Sequence, residues 1–177
     1  GHVFRGAYRY SYGYIDGLQR PTGLGLLKQF YSAKNDDIKS HGVNLIITPI
    51  IKIPRYRTGG RDEYFSDEVF STTCHETAHS SHFRLNPIQF FLSTSQIRES
   101  WPVGVEWRLT HLEYASRGIS NYGEHSYQPP SPPLFPNTNA YQFWNATDYN
   151  DDYTSLFIDL MDGHNQFGIN YGTINFP

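Results

Sequence analysis

Apolar and polar positions alternate along this chain with more than one period, and each period predicts a different element. Tyr8, Tyr10, Tyr12 and Tyr14 recur at every second residue, which would line one face of a strand; a helix is also compatible, and Asp16-Gly17 marks a turn after it. Val43 to Ile53 is rich in β-branched residues and bounded by Gly42 and Pro54, the clearest strand pattern of the chain. Pro49 inside it has no N–H to give to a ladder, so this strand is expected at a sheet edge or bulged. Such an edge could pair with an extended peptide.

Helical signals follow. After a loop around Gly59-Gly60, Ser66 or Asp67 can cap a helix that holds Asp67 and Glu68 in its first turn and runs through His79 to about Phe83. Pro87 disfavours helix at the residue before it, so the helix should end before Asn86. A second helix is expected from about Gln96 to Arg117, with Val103, Val105, Trp107, Leu109, Leu112 and Tyr114 as its apolar positions and Gly118 as its stop. Pro102 either falls near its first turn or kinks it. A third stripe, Leu156, Phe157, Leu160 and Met161, predicts a helix over Tyr153 to Asn165. The proline-rich run 128–136 is an extended spacer. No repeat is evident, and 177 residues suit a single domain spanning 1–177.

Composition narrows the function classes. The net charge is −3, and the arginines are scattered without forming a stripe that tracks phosphates, so no nucleic-acid partner is expected. Cys74 is the single cysteine, which excludes an internal disulfide and a paired-thiol metal knuckle; it should pack as a small apolar side chain. No apolar run reaches membrane-spanning length, and the first residues lack the pattern of a signal peptide. No transmembrane segment is therefore expected in this chain, which leaves room for a lipid anchor outside it. Tyrosine (14) and phenylalanine (12) are abundant, lysine is sparse, and Asn, Ser and Thr fill the connections. That surface points to an extracellular or cell-surface protein.

The chemistry concentrates in Thr73-Cys74-His75-Glu76-Thr77-Ala78-His79. Its HExxH pattern puts His75 and His79 one above the other on a helix face, where both imidazoles can reach one Zn2+, with Glu76 one position round as the general base. A catalytic zinc normally takes three protein ligands. His82 shares the helical face but lies about 10 Å from His75 along the axis, so it is a neighbour of the site. The metzincin pattern would need glycine at His82 and histidine at Leu85. A glutamate from the next helix is the other solution: Glu99 lies twenty residues after His79, and Glu106 and Glu113 follow at heptad spacing. Each of these three could instead be an exposed helix carboxylate, Glu106 and Glu113 more readily than Glu99.

HExxH followed by Glu99 resembles the gluzincins, the thermolysin-like clan of zinc peptidases. More closely, Thr73 to His79 with Glu99-Ser100-Trp101 and Gly104-Val105-Glu106-Trp107 resembles a group of bacterial surface lipoproteins read as zinc metallopeptidases, over most of the chain from Phe4-Arg5-Gly6-Ala7 to Phe157-Ile158-Asp159-Leu160. The resemblance implies an α+β, zincin-like fold: a small mixed sheet with an edge strand beside the HExxH helix, and a second, ligand-bearing helix. It implies metal ligands His75, His79 and Glu99, with Glu76 activating a zinc-bound water for hydrolysis of a peptide or protein substrate, in the periplasm or on an outer-membrane lipoprotein. Arg98 precedes Glu99, and Val103 stands where many gluzincins carry an acidic residue, which keeps Glu106 open as the third ligand. The oxyanion donor is open among His111, Tyr114, Tyr122, Tyr153 and His164. Rival expectations are a non-catalytic binding module that keeps the zincin shape, and a zinc hydrolase of a non-peptide amide.

Weaker patterns remain. Asp148, Asn150, Asp152 and Asp159 are spaced like a calcium loop, but Tyr153 stands where glycine is required, which favours a turn and helix cap. Asn145-Ala146-Thr147 matches a glycosylation acceptor. Trp101, Trp107 and Trp144 could line a groove, although helical spacing makes Trp107 a core residue first.

Overall fold

The tyrosine-rich start of the chain is a helix, α1 (His2–Tyr12), which corrects the strand reading and leaves its helical alternative. Phe4, Tyr8 and Tyr12 follow one another at helical spacing, with ring centroids 6.0 Å and 5.2 Å apart, while Gly6 and Tyr10 form the buried face. The period of two among the tyrosines is incidental; the period that matters includes Phe4 and Gly6. The turn at Asp16-Gly17 holds, with both residues at positive φ (47° and 78°).

In this computed structural model the described residues are 1–18, 20, 30–34, 42–44, 50–56, 63–119 and 157. The chain divides into two units, Gly1–Leu92 and Ser93–Pro177. In the first, three short strands, β1 (Phe30–Lys34), β2 (Gly42–Asn44) and β3 (Ile50–Pro54), pair in the order β1-β3-β2. β1 runs parallel to β3 and β2 antiparallel to it, with Gly42 opposite Lys52 and Asn44 opposite Ile50. The single strand expected over Val43 to Ile53 is therefore corrected: its two ends belong to two antiparallel strands, β3 at the centre of the sheet and β2 at an edge. Pro49, which cannot donate to a ladder, falls outside the described residues. Along β3, Ile51 (0% exposed) and Ile53 (2%) are buried while Lys52 is exposed, as one core-facing side of a pleated strand requires.

The central element of this unit is α2 (Ser66–Leu85). Its N-cap is Phe65, one residue ahead of the expected caps, and the Phe65 N–H is taken by the Glu68 carboxylate at 2.7 Å, the reciprocal half of a capping box. The helix ends at Asn86, whose backbone is extended, because Pro87 disfavours helix at that position. The Asn86 side chain then caps α3 (Pro87–Leu92) by accepting the Gln89 N–H at 3.0 Å. α1, β2, β3 and α3 all pack against α2, and Phe70, Cys74 and Ala78 are fully buried along it.

In the second unit, α4 (Ser95–Ala115) starts at the Thr94 hydroxyl, which accepts the Ile97 N–H at 3.4 Å. Gly118, at φ 84°, follows its end. Val103, Val105, Trp107, Leu109 and Tyr114 are buried. Pro102 sits well inside the helix, where it has no N–H for the carbonyl of Arg98. Of the helix expected over Tyr153 to Asn165 only Phe157 is described; it is helical and packs edge-on against Trp101 at 5.5 Å. The proline-rich run, the calcium-like spacing, Asn145 and Trp144 lie outside the described residues. Among the described residues no helix is long and apolar enough to cross a membrane.

Candidate metal centre

α2 positions its functional residues by helical spacing alone. His75 and His79 are 6% and 8% exposed, and their Nε2 atoms lie 3.2 Å apart, with the rings edge to face. Two nitrogens bound tetrahedrally to one zinc at the usual bond length would stand about 3.3 Å from each other. The pair thus has the separation a single ion requires, and both nitrogens are available as ligands when the imidazoles are neutral. Glu76, adjacent to His75, is 2% exposed; a carboxylate so enclosed needs a cation or donors nearby. The two imidazoles fit zinc and equally other divalent ions that favour nitrogen, and the buried Glu76 carboxylate is left to act on a water rather than on the ion.

The remaining candidates divide. His82 turns to α3, where its ring meets Phe90 edge-on at 5.1 Å, consistent with its distance from His75 along the helix. Glu99 is partly buried on α4. Glu106 (8%) and Glu113 (7%) are buried there, not exposed helix carboxylates. Glu113 is held by the Arg117 guanidinium at 2.7 Å and 3.1 Å. His111 stacks on Trp107 with ring centroids 5.7 Å apart, and Tyr114 is buried. Tyr122, Tyr153 and His164 lie outside the described residues.

A seam of hydroxyls on α2 went unread in the sequence. Thr73, Thr77 and Ser81 recur every fourth residue and are all buried, about half a turn away from His75 and His79. Thr73 donates to the Val69 carbonyl and Thr77 to the Thr73 carbonyl, each at 2.6 Å. The Tyr31 phenol of β1 reaches Thr77 Oγ1 at 3.2 Å, and the Tyr10 phenol of α1 lies beside Ser81, short of a full hydrogen bond. Burial pushes both phenols above the ordinary tyrosine pKa. The four-residue spacing of 73, 77 and 81 was the available signal; two tyrosines from distant segments could not be assigned to it. Comparison with known proteins adds no relative: no family model, no curated protein and no solved structure matches the chain.

Proposed function

We propose that this chain is a zinc-dependent peptidase in which His75 and His79 hold the metal and Glu76 is the general base. The observation that carries the reading is the 3.2 Å separation of the two buried imidazole nitrogens, together with the burial of Glu76, the residue next to His75 in the motif. Glu99 is the third ligand in this proposal. Its support is its place in the sequence, twenty residues after His79 on the following helix, where a glutamate can complete a two-histidine zinc site.

Zinc, when bound, supplies a Lewis acid that polarises a carbonyl and makes water a nucleophile near neutral pH. The chain supplies the rest. His75 and His79, as neutral imidazoles, orient the centre. Glu76 takes the proton from the attacking water and returns it to the leaving amine, so the base becomes the acid of the second half-reaction. Its burial keeps the carboxylate out of bulk water, and away from water a charge acts more strongly on its neighbours. The tyrosine-rich, lysine-poor composition supports a place of action at the cell surface or outside the cell.

The test pairs binding with turnover. Zinc titration of the wild type and of Glu76→Gln should give similar affinities, whereas cleavage of a peptide library should fall by about 10²–10⁴-fold or more in the variant. Equal cleavage by both proteins would sink the peptidase. Zinc binding without any cleavage by the wild type would favour the binding module or the non-peptide amide hydrolase instead.

A further inference from the structure

The HExxH motif contains two residues with no assigned role, and one of them, Thr77, is fully buried on the side of α2 opposite the histidines. Its hydroxyl has one proton, and that proton goes to the Thr73 carbonyl at 2.6 Å. The 3.2 Å contact with Tyr31 therefore has one direction: the phenol donates and Thr77 Oγ1 accepts. Ser11 of α1 lies against the same phenol, so Tyr31 sits where β1, α1 and α2 meet. The two helices are also in close contact at Gly6, where a Cβ would come within 2.9 Å of Thr73 Cβ and 3.0 Å of the Phe70 carbonyl.

We propose that Tyr31 is a positioning residue for the metal centre, fixing the rotation of α2 about its own axis through its hydrogen bond to Thr77. The lever is short. Side-chain tips stand about 6 Å from a helix axis, so a rotation of about 10° moves an imidazole nitrogen by about 1 Å. Metal–ligand distances tolerate only about 0.2 Å, and catalytic geometry loses about a hundredfold for 1 Å. Apolar packing alone resists such a rotation poorly, because it is not directional. A hydrogen bond inside the motif, half a turn behind the ligands, adds direction where it counts. Tyr31 touches neither metal nor substrate in this arrangement.

This inference rests on the zinc reading. Its experiment measures zinc affinity by competition with a chromophoric chelator, on the full chain, for the wild type, Tyr31→Phe, Thr77→Val, Thr77→Ser and the Tyr31→Phe/Thr77→Val double variant. Melting of the metal-free proteins is followed in parallel. Expected are a loss of about tenfold in affinity for Tyr31→Phe and for Thr77→Val, no further loss in the double variant, near wild-type affinity for Thr77→Ser, which keeps the acceptor oxygen, and metal-free melting curves of Tyr31→Phe that stay close to the wild type. Wild-type affinity in Tyr31→Phe overturns the positioning role and leaves the zinc reading standing. So does an affinity loss that is additive in the double variant. A wild type that binds no zinc overturns both.

Discussion

A phenol that folding buries is held neutral, and Tyr10 is the clearest case in this chain: it is 2% exposed and burial raises its pKa well above the usual value of 10.0. The folded state then keeps its proton over a pH range in which the unfolded chain has lost it. Stability from this group is complete below about pH 10 and declines as pH rises beyond it. Tyr31, also raised by burial, contributes with the same sign. Urea unfolding between pH 8 and 11 should show wild-type stability falling at the alkaline end, and Tyr10→Phe should flatten that fall even though it starts from a lower neutral value. Parallel slopes in the two proteins would contradict the assignment. At this scale the sequence was most informative where chemistry follows local spacing. His75, Glu76 and His79 needed nothing but a helix to come together. The burial of Tyr10 and the partner of Tyr31 depend on segments tens of residues away, and no local pattern marks them.

Elements were legible to the extent that their own residues decide them. Glu68, which takes the Phe65 N–H, and Pro87 bracket α2, so the helix that carries the motif was readable to within a residue or two of its ends. Four alternating tyrosines left α1 open between strand and helix, and Phe4 and Gly6 decide it: the side that packs on α2 is the one Gly6 leaves free of a side chain. Gly6→Ala tests that contact. Alanine favours helix by about 1 kcal/mol, but its Cβ would press on a backbone carbonyl and a branched side chain at 2.9–3.0 Å, and overpacking costs about 1–3 kcal/mol. The carbonyl belongs to α2 itself and cannot swing aside, so a net destabilisation of about 1 kcal/mol is expected in urea unfolding. A more stable Gly6→Ala would show that α1 and α2 pack less closely. The strand over Val43 to Ile53 failed for a different reason. Its β-branched residues specify extended backbone, yet only pairing decides that Asn44 faces Ile50 and that one stretch makes two strands.

For the whole molecule the proposed zinc is a ligand of the native state, and ligands of the native state stabilise it by mass action. At a free zinc concentration a hundred times Kd the gain is about 2.7 kcal/mol, which for a chain of this size raises Tm by about 5–10 °C. Chelation should reverse the shift, and His75→Ala or His79→Ala should abolish it while leaving the metal-free Tm lower by no more than a few degrees. A full zinc-dependent shift in His79→Ala would show that the ion sits elsewhere. Acid should shrink the shift in the wild type, because protons compete with the metal for the imidazole nitrogens.

The sequence by itself determined whatever acts within about one or two helical turns: the HExxH helix and its ends, the turn at Asp16-Gly17, and the stop at Gly118 after α4. Those features depend on bond geometry, capping and the missing N–H of proline, which are properties of neighbouring residues. Only the tertiary structure decided that β3 is central and β2 an edge, that Glu106 and Glu113 are buried, and that Tyr31 reaches Thr77 across the back of the motif. Each of these sets a burial or a pairing between residues far apart along the chain, and its free energy exists only once the segments have met.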